Sequence, residues 1–173
     1  SEMCIRDSSK AEVAEGKEVY IEFEAANSSA ELFVNGESVA KHDGGYSTWR
    51  ANITPYLKDE NEIVVAVDNA PNDYVYPQNA DFTFYGGLYR KVSLILVDET
   101  RFDLDYYGSP AIKVTPEVTG DDAKITTEVY LTNAGSTEEL VFTITDGDTV
   151  VDTVTVSADK TEVEQTITNG HLW

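Results

Sequence analysis

Thirty-two Asp and Glu side chains and two histidines are the groups through which this chain could move protons. Two carboxylates can divide acid and base work when their surroundings push their pKa values apart. Here the acids sit on alternating strand-like segments or in turns, and no pair is marked out. His42 and His171 lie far apart in the sequence, yet a zinc site or a His-based triad would need both. The single cysteine, Cys4, allows no intramolecular disulfide and no Cys-based metal centre. Asp146-Gly147-Asp148 lacks the further spaced acids of a calcium loop and reads as a hairpin turn. No metal site and no cofactor are therefore expected.

The chemistry-bearing density lies elsewhere. Residues 69–87 hold Tyr74, Tyr76, Phe82, Phe84 and Tyr85 among prolines, glycines and the amides Asn69, Asn72, Gln78 and Asn79. So long a stretch without a strand pattern, inside a compact domain, is usually functional. Tyr74 and Tyr76, flanked by prolines and asparagines, are predicted to be exposed, with rings free for stacking. Phe82, Phe84, Tyr85 and Tyr89 are expected in core or interdomain packing. Gly86-Gly87 reads as a tight turn or a close backbone approach; no helix start follows that would make it a phosphate cradle. Arg90 is expected to pair with an acid. His42 is expected on a solvated face, and Trp49 and Trp173 as packing anchors. Asn27-Ser28-Ser29 and Asn52-Ile53-Thr54 match glycosylation acceptors and are set aside, because the resemblance described below is bacterial.

The elements that must hold this stretch are strands. Lys17–Ala25 alternates Val19, Ile21, Phe23 and Ala25 against polar neighbours, a half-buried strand. Glu31–Val34 and Glu37–Ala40 flank Asn35-Gly36, the strongest short hairpin signal, because a type I′ turn needs positive φ at both positions. Ser47–Ile53 is a further strand, and Tyr56–Lys58 one helical turn. Ile63–Val67 within Asn61–Asp68 reads as buried on both faces, and Leu88–Val97 as one strong strand. From Lys113 onward aromatics thin out and Val and Thr take over. Lys124–Thr132, Glu139–Thr145, Thr149–Val156 and Thr161–Ile167 alternate cleanly, with turns at Asn133-Ala134-Gly135 and Asp146-Gly147. The predicted class is all-β: a jelly-roll sandwich over 10–99, a crossing segment over 100–112, and an immunoglobulin-like sandwich over 113–173. An immunoglobulin-like domain takes about 100 residues, so the second sandwich is expected to be incomplete at its C-terminal end. The opening Ser-Glu-Met-Cys-Ile-Arg-Asp-Ser looks like translated adapter sequence, and 1–9 is expected to be non-native or disordered.

Bulk composition excludes some partners. Lys and Arg number 12 against 32 acids, a net charge of -20. Such a surface repels phosphate backbones and anionic lipid, which argues against nucleic-acid and membrane roles. No apolar run approaches the roughly 20 residues of a membrane helix.

Several spaced motifs carry a resemblance. Asn27-Ser-Ser-Ala-Glu-Leu-Phe-Val-Asn-Gly36, Gly44-Gly-Tyr46 and Ile53-Thr-Pro-Tyr-Leu57 resemble the N-terminal sugar-binding jelly roll of glycoside hydrolase family 2. Asp81-Phe-Thr-Phe-Tyr-Gly-Gly-Leu-Tyr-Arg90 is similar to that family's loop-and-strand motif in bacterial β-galactosidase-type members. Thr168-Asn-Gly-His-Leu-Trp173 is similar to a segment near the end of its immunoglobulin-like domain, with Gly170 where proline is usual. The resemblance implies the front part of a retaining exo-β-glycosidase, most simply of β-galactosidase type, whose two catalytic glutamates lie on a following (β/α)₈ barrel. It implies no catalytic residue in this chain, which should be inactive alone. The partners implied are that barrel and the terminal β-linked sugar of an oligosaccharide or polysaccharide. It also implies a substrate-binding role for Asp81, whose carboxylate would accept hydroxyl hydrogen bonds, with Tyr74 and Tyr76 as stacking candidates. A free-standing carbohydrate-binding module and a structural or adhesive sandwich pair are the alternatives.

Overall fold

The computed structural model describes residues 2–6, as backbone, and residues 16–76 and 79–170. The Cys4 side chain, residues 7–9, Gln78, His171 and Trp173 lie outside what it describes. The chain is all-β and divides into two units, Ser1–Glu99 and Thr100–Trp173.

In the first unit, β1 (Glu2–Arg6), β7 (Glu62–Asp68), β4 (Ser29–Val34) and β5 (Glu37–Asp43) form one antiparallel sheet in that order. A second sheet runs β6 (Trp49–Asn52), β2 (Lys17–Phe23), β9 (Val92–Asp98), and a short pair joins β3 (Ala26–Asn27) to β8 (Gly87–Leu88). Register is pinned where the sequence places its turn. Asn35 and Gly36 both take positive φ, 53° and 85°, and link β4 to β5 as a tight hairpin. On the other side of β4, Leu32 lies opposite Val65 and Val34 opposite Ile63, so the apolar sets share a face. That face meets Val19, Ile21 and Phe23 of β2 and Trp49 and Ala51 of β6 in one core. Phe23, Leu32, Val34, Ile53 and Val65 are wholly buried, and full burial of such a side chain stabilises by ~1.5–3 kcal/mol.

Four expectations are corrected here. β7 alternates, with Ile63, Val65 and Val67 buried and Val64 and Ala66 only half-buried, so one face is core rather than both. The strong strand over 88–97 is interrupted at 89–91 and resumes as β9. Glu2–Arg6, expected to be non-native or disordered, is ordered here and pairs residue for residue with Glu62–Ala66, because the edge of β7 offers unpaired N–H and C=O groups. The helical turn expected at Tyr56–Lys58 forms two residues earlier, as a 3-10 turn at Thr54–Tyr56, and Thr54 Oγ1 accepts the Val19 N–H at 2.8 Å.

In the second unit, β11 (Ile112–Thr119), β12 (Asp122–Val129) and β16 (Glu162–Ile167) form a sheet. β14 (Glu139–Asp146) pairs with β15 (Thr149–Ser157), and β10 (Arg101–Phe102) with β13 (Leu131–Thr132). Arg101–Phe102, expected in the crossing segment, thus belongs to this unit's pairing. β11 went unpredicted because Pro116 interrupts its pattern. It is an edge strand, where a missing N–H costs no ladder bond. Among the described residues of this unit, the buried apolar side chains are Ala111, Val129, Ala158 and Val163. Between the sheets lies a cleft of about 280 Å³ lined by Val114, Ile125, Leu140, Phe142 and Gln165. Gln165, 3% exposed, ties β16 to β15 through a 2.9 Å bond from its amide to Asp152.

Candidate functional site

The long loop between β7 and β8 carries every residue singled out for ligand contact. Its fixation begins with side-chain amides. Asn72 donates to Ser29 Oγ at 2.8 Å and to Asp43 Oδ1 at 3.2 Å, and its own Oδ1 accepts the Tyr74 N–H at 2.9 Å. These bonds anchor the incoming limb to β4 and β5 and turn the chain just before Tyr74. Val75 is pushed inward and is 3% exposed, while Tyr74 and Tyr76 on either side are 86% and 84% exposed.

The outgoing limb is held by two more amides. Asn27 Nδ2 donates to the Tyr85 carbonyl at 2.7 Å, and Asn69 Nδ2 to the Phe84 carbonyl at 3.3 Å. Gly86 makes the close approach expected of it: a Cβ there would lie 2.7 Å from Asn69 Cγ. Beyond it, the Tyr89 phenol donates to the Gly45 carbonyl, and the Tyr89 ring meets Tyr46 edge-on at 6.5 Å. Burial pushes the Tyr89 phenol up from its ordinary pKa, further above the neutral range in which a phenol is already a donor.

Asp81 and Phe82 lie exposed in the stretch between the two anchored limbs. Tyr74, Tyr76 and Asp81 therefore share one tethered loop. The root of that loop encloses about 70 Å³ between Asn27, Asn69, Val75 and Phe84. That is room for a water or two, not for a sugar ring.

Other expectations are corrected at this site. Phe82 and Tyr85 are 56% and 77% exposed, so the core half of their expected packing is corrected. Arg90, expected beside an acid, lies over the Tyr89 ring at 5.7 Å. His42 is half-buried rather than solvated: it stacks on Trp49 at 5.2 Å and meets Ser47 Oγ at 3.1 Å. Trp49 is the packing anchor expected, stacked on Phe23 at 4.2 Å. Asn27, Asn69 and Asn72 were not predicted as site residues. The density of asparagine between 69 and 79 was the signal for Asn69 and Asn72, whereas Asn27 stood out only at the head of Asn27-Ser28-Ser29. Among the described residues no cluster of His, Cys, Asp and Glu could hold a metal ion, and no helix is long and apolar enough to cross a membrane.

Comparison with known proteins places this loop in a lineage. Residues 6–98 match the family described as glycosyl hydrolases family 2, sugar binding domain. A β-glucuronidase of Bacteroides fragilis is 36% identical over 141 residues, 79% of this chain and 20% of that protein. A β-galactosidase of Thermoanaerobacter pseudethanolicus is 35% identical over 129 residues, 66% of this chain and 17% of that protein. Among solved structures, an FMN-binding β-glucuronidase from Facaelibacterium prausnitzii L2-6 superposes with a TM-score of 0.84 at 36% identity, covering 99% of this chain and 27% of the other. A putative β-galactosidase from Bacteroides fragilis gives 0.79 at 31% identity, covering 99% and 28%. The chain thus spans about a fifth of the length of the curated relatives it matches.

Proposed function

The chain belongs to glycoside hydrolase family 2 through its sugar-binding domain, and on that footing we propose that it is the front part of a retaining exo-β-glycosidase of β-glucuronidase or β-galactosidase type. In this reading the first unit borders the active-site entrance. Asp81 accepts hydrogen bonds from hydroxyls of the terminal sugar, and Tyr74 and Tyr76 offer ring faces to the saccharide. The acid/base and nucleophile carboxylates, about 5 Å apart in a retaining enzyme, lie on a barrel outside residues 1–173. The open cleft of the second unit supports a reading in which further strands of a longer polypeptide close an immunoglobulin-like sandwich. The observation that carries the proposal is the tethered loop: both limbs are fixed by amides while Asp81 stands exposed between them.

A carboxylate-to-hydroxyl bond made in the transition state is worth ~1.5–3 kcal/mol. In the full-length enzyme Asp81→Ala should therefore lower kcat/KM by roughly 10- to 150-fold. Steady-state kinetics on nitrophenyl β-glucuronide and β-galactoside test this and show which sugar is preferred. A loss smaller than about threefold (~0.65 kcal/mol) would reduce Asp81 to a loop residue. The chain of 173 residues alone should turn over neither substrate.

A further inference from the structure

Two pairs of residues in the first unit have an arrangement that loop closure alone does not require. The Asn27 amide bonds the Tyr85 carbonyl and the Asn69 amide bonds that of the preceding residue, Phe84. Each amide occupies space that a bare glycine leaves open. A Cβ on Gly45 would lie 2.5 Å from Asn27 Oδ1, and a Cβ on Gly86 would lie 2.7 Å from Asn69 Cγ. Neither glycine has positive φ, so backbone freedom does not explain either one. Asn27 is buried, at 6% exposure, in β3, and β3 pairs directly with β8. The two donors thus grip adjacent peptides three and four positions beyond Asp81, from two separate segments of the sandwich.

We propose that Asn27 and Asn69 are positioning residues for Asp81, acting as a double amide clamp that Gly45 and Gly86 admit. The proposal rests on the role given to Asp81 above, but its test does not depend on that role. A carbonyl pair held at 84 and 85 leaves only Phe82 and Thr83 between the clamp and Asp81. The backbone there loses its freedom when the chain folds, before any ligand arrives, and a ligand is spared that ordering cost. Asn→Asp is the sharpest substitution. It keeps the shape and replaces the donor with an ionised acceptor facing a carbonyl.

The test uses ¹⁵N relaxation on the chain as it stands, with Asn27→Asp and Asn69→Asp as variants. Backbone order parameters at Asp81, Phe82 and Phe84 should fall from the rigid level of about 0.85 towards about 0.6. Those of β2, β4 and β7 should hardly move. Unchanged order at 81–84 overturns the clamp, and so does a loss of order spread evenly over the whole unit. Should Asn27→Asp fail to fold, a cycle of Gly45→Ala with Asn27→Ala decides. In the double variant the nearest atom to the methyl added at position 45 would be the Cβ at position 27, at an ordinary 3.5 Å. Gly45→Ala should then loosen the loop in the native background and add nothing to Asn27→Ala. Independent, additive effects would overturn the proposal. If the clamp is confirmed but Asp81→Ala leaves catalysis intact, the fault lies in the role given to Asp81 and not in the clamp.

Discussion

The first unit closes its core, whereas the second leaves a gap between its sheets. In the first, two sheets of four and three strands bring Phe23, Leu32, Val34, Ile53 and Val65 to zero exposure. In the second, a sheet of three strands faces a pair, and Val114 and Val141 remain 57% and 63% exposed beside the cleft. Both halves are rich in alternating strands, so alternation alone does not make a core. The difference is the number of strands available to cover each face. A buried amide from Gln165 crosses the gap in the second unit where the first unit has stacked rings. One hydrogen bond contributes ~0.5–1.5 kcal/mol net, less than a well-packed large side chain.

Matched truncations give the largest effect with which to break this contrast. Leu32→Ala should cost ~2–5 kcal/mol, because a wholly enclosed site cannot collapse around the lost methyl groups. Leu140→Ala, beside the open cleft, should cost less than ~1 kcal/mol, because little of its surroundings is packed. Urea melts of the two variants measure both, and equal costs would show the second core to be as tight as the first. Hydrogen exchange sharpens the same point strand by strand. Amides of β2, β4 and β7 should exchange at least about a hundredfold more slowly than those of β14 and β15. Equal protection would mean that the second unit is self-sufficient.

The smallest expected effect concerns His42, whose pKa burial against Trp49 pushes below the usual imidazole value, outweighing Asp43 and the Gly44 backbone. Its folded pKa is lower than its unfolded one, so the unfolded chain takes up its proton first as pH falls. Stability is therefore full above about pH 6.5 and declines below it, towards the lower folded pKa. His42→Gln should flatten that decline in the melting temperature of the first unit and leave the second unchanged.

The parts of this architecture legible from sequence were those governed by local rules. The Asn35-Gly36 hairpin was readable because its backbone demands positive φ, and β2 because its period of two is uninterrupted. Long-range features were not. β11 hides behind Pro116, whose tolerance depends on being at an edge. The half-burial of Val64 and Ala66 depends on what lies over the outer face of β7. The exposed loop was visible as a gap in the strand pattern, with Tyr74, Tyr76 and Asp81 placed on it. Its tethers were not, because Asn27 lies 58 residues from the carbonyl it holds. Within Asn27-Ser28-Ser29 it looked like an ordinary glycosylation acceptor.

The hairpin turn also bears on how the protein ages. An asparagine followed by glycine deamidates when the glycine nitrogen attacks the side-chain amide carbon, so the side chain must be free to swing. Asn35 is not free: its amide donates to the Tyr56 carbonyl at 2.8 Å and to Asn61 Oδ1 at 3.0 Å, and its oxygen accepts the Glu62 N–H at 2.9 Å. These three bonds, which tie the tip of one hairpin to Tyr56 and to the start of β7, also shield one of the chain's two Asn-Gly links from spontaneous damage on storage.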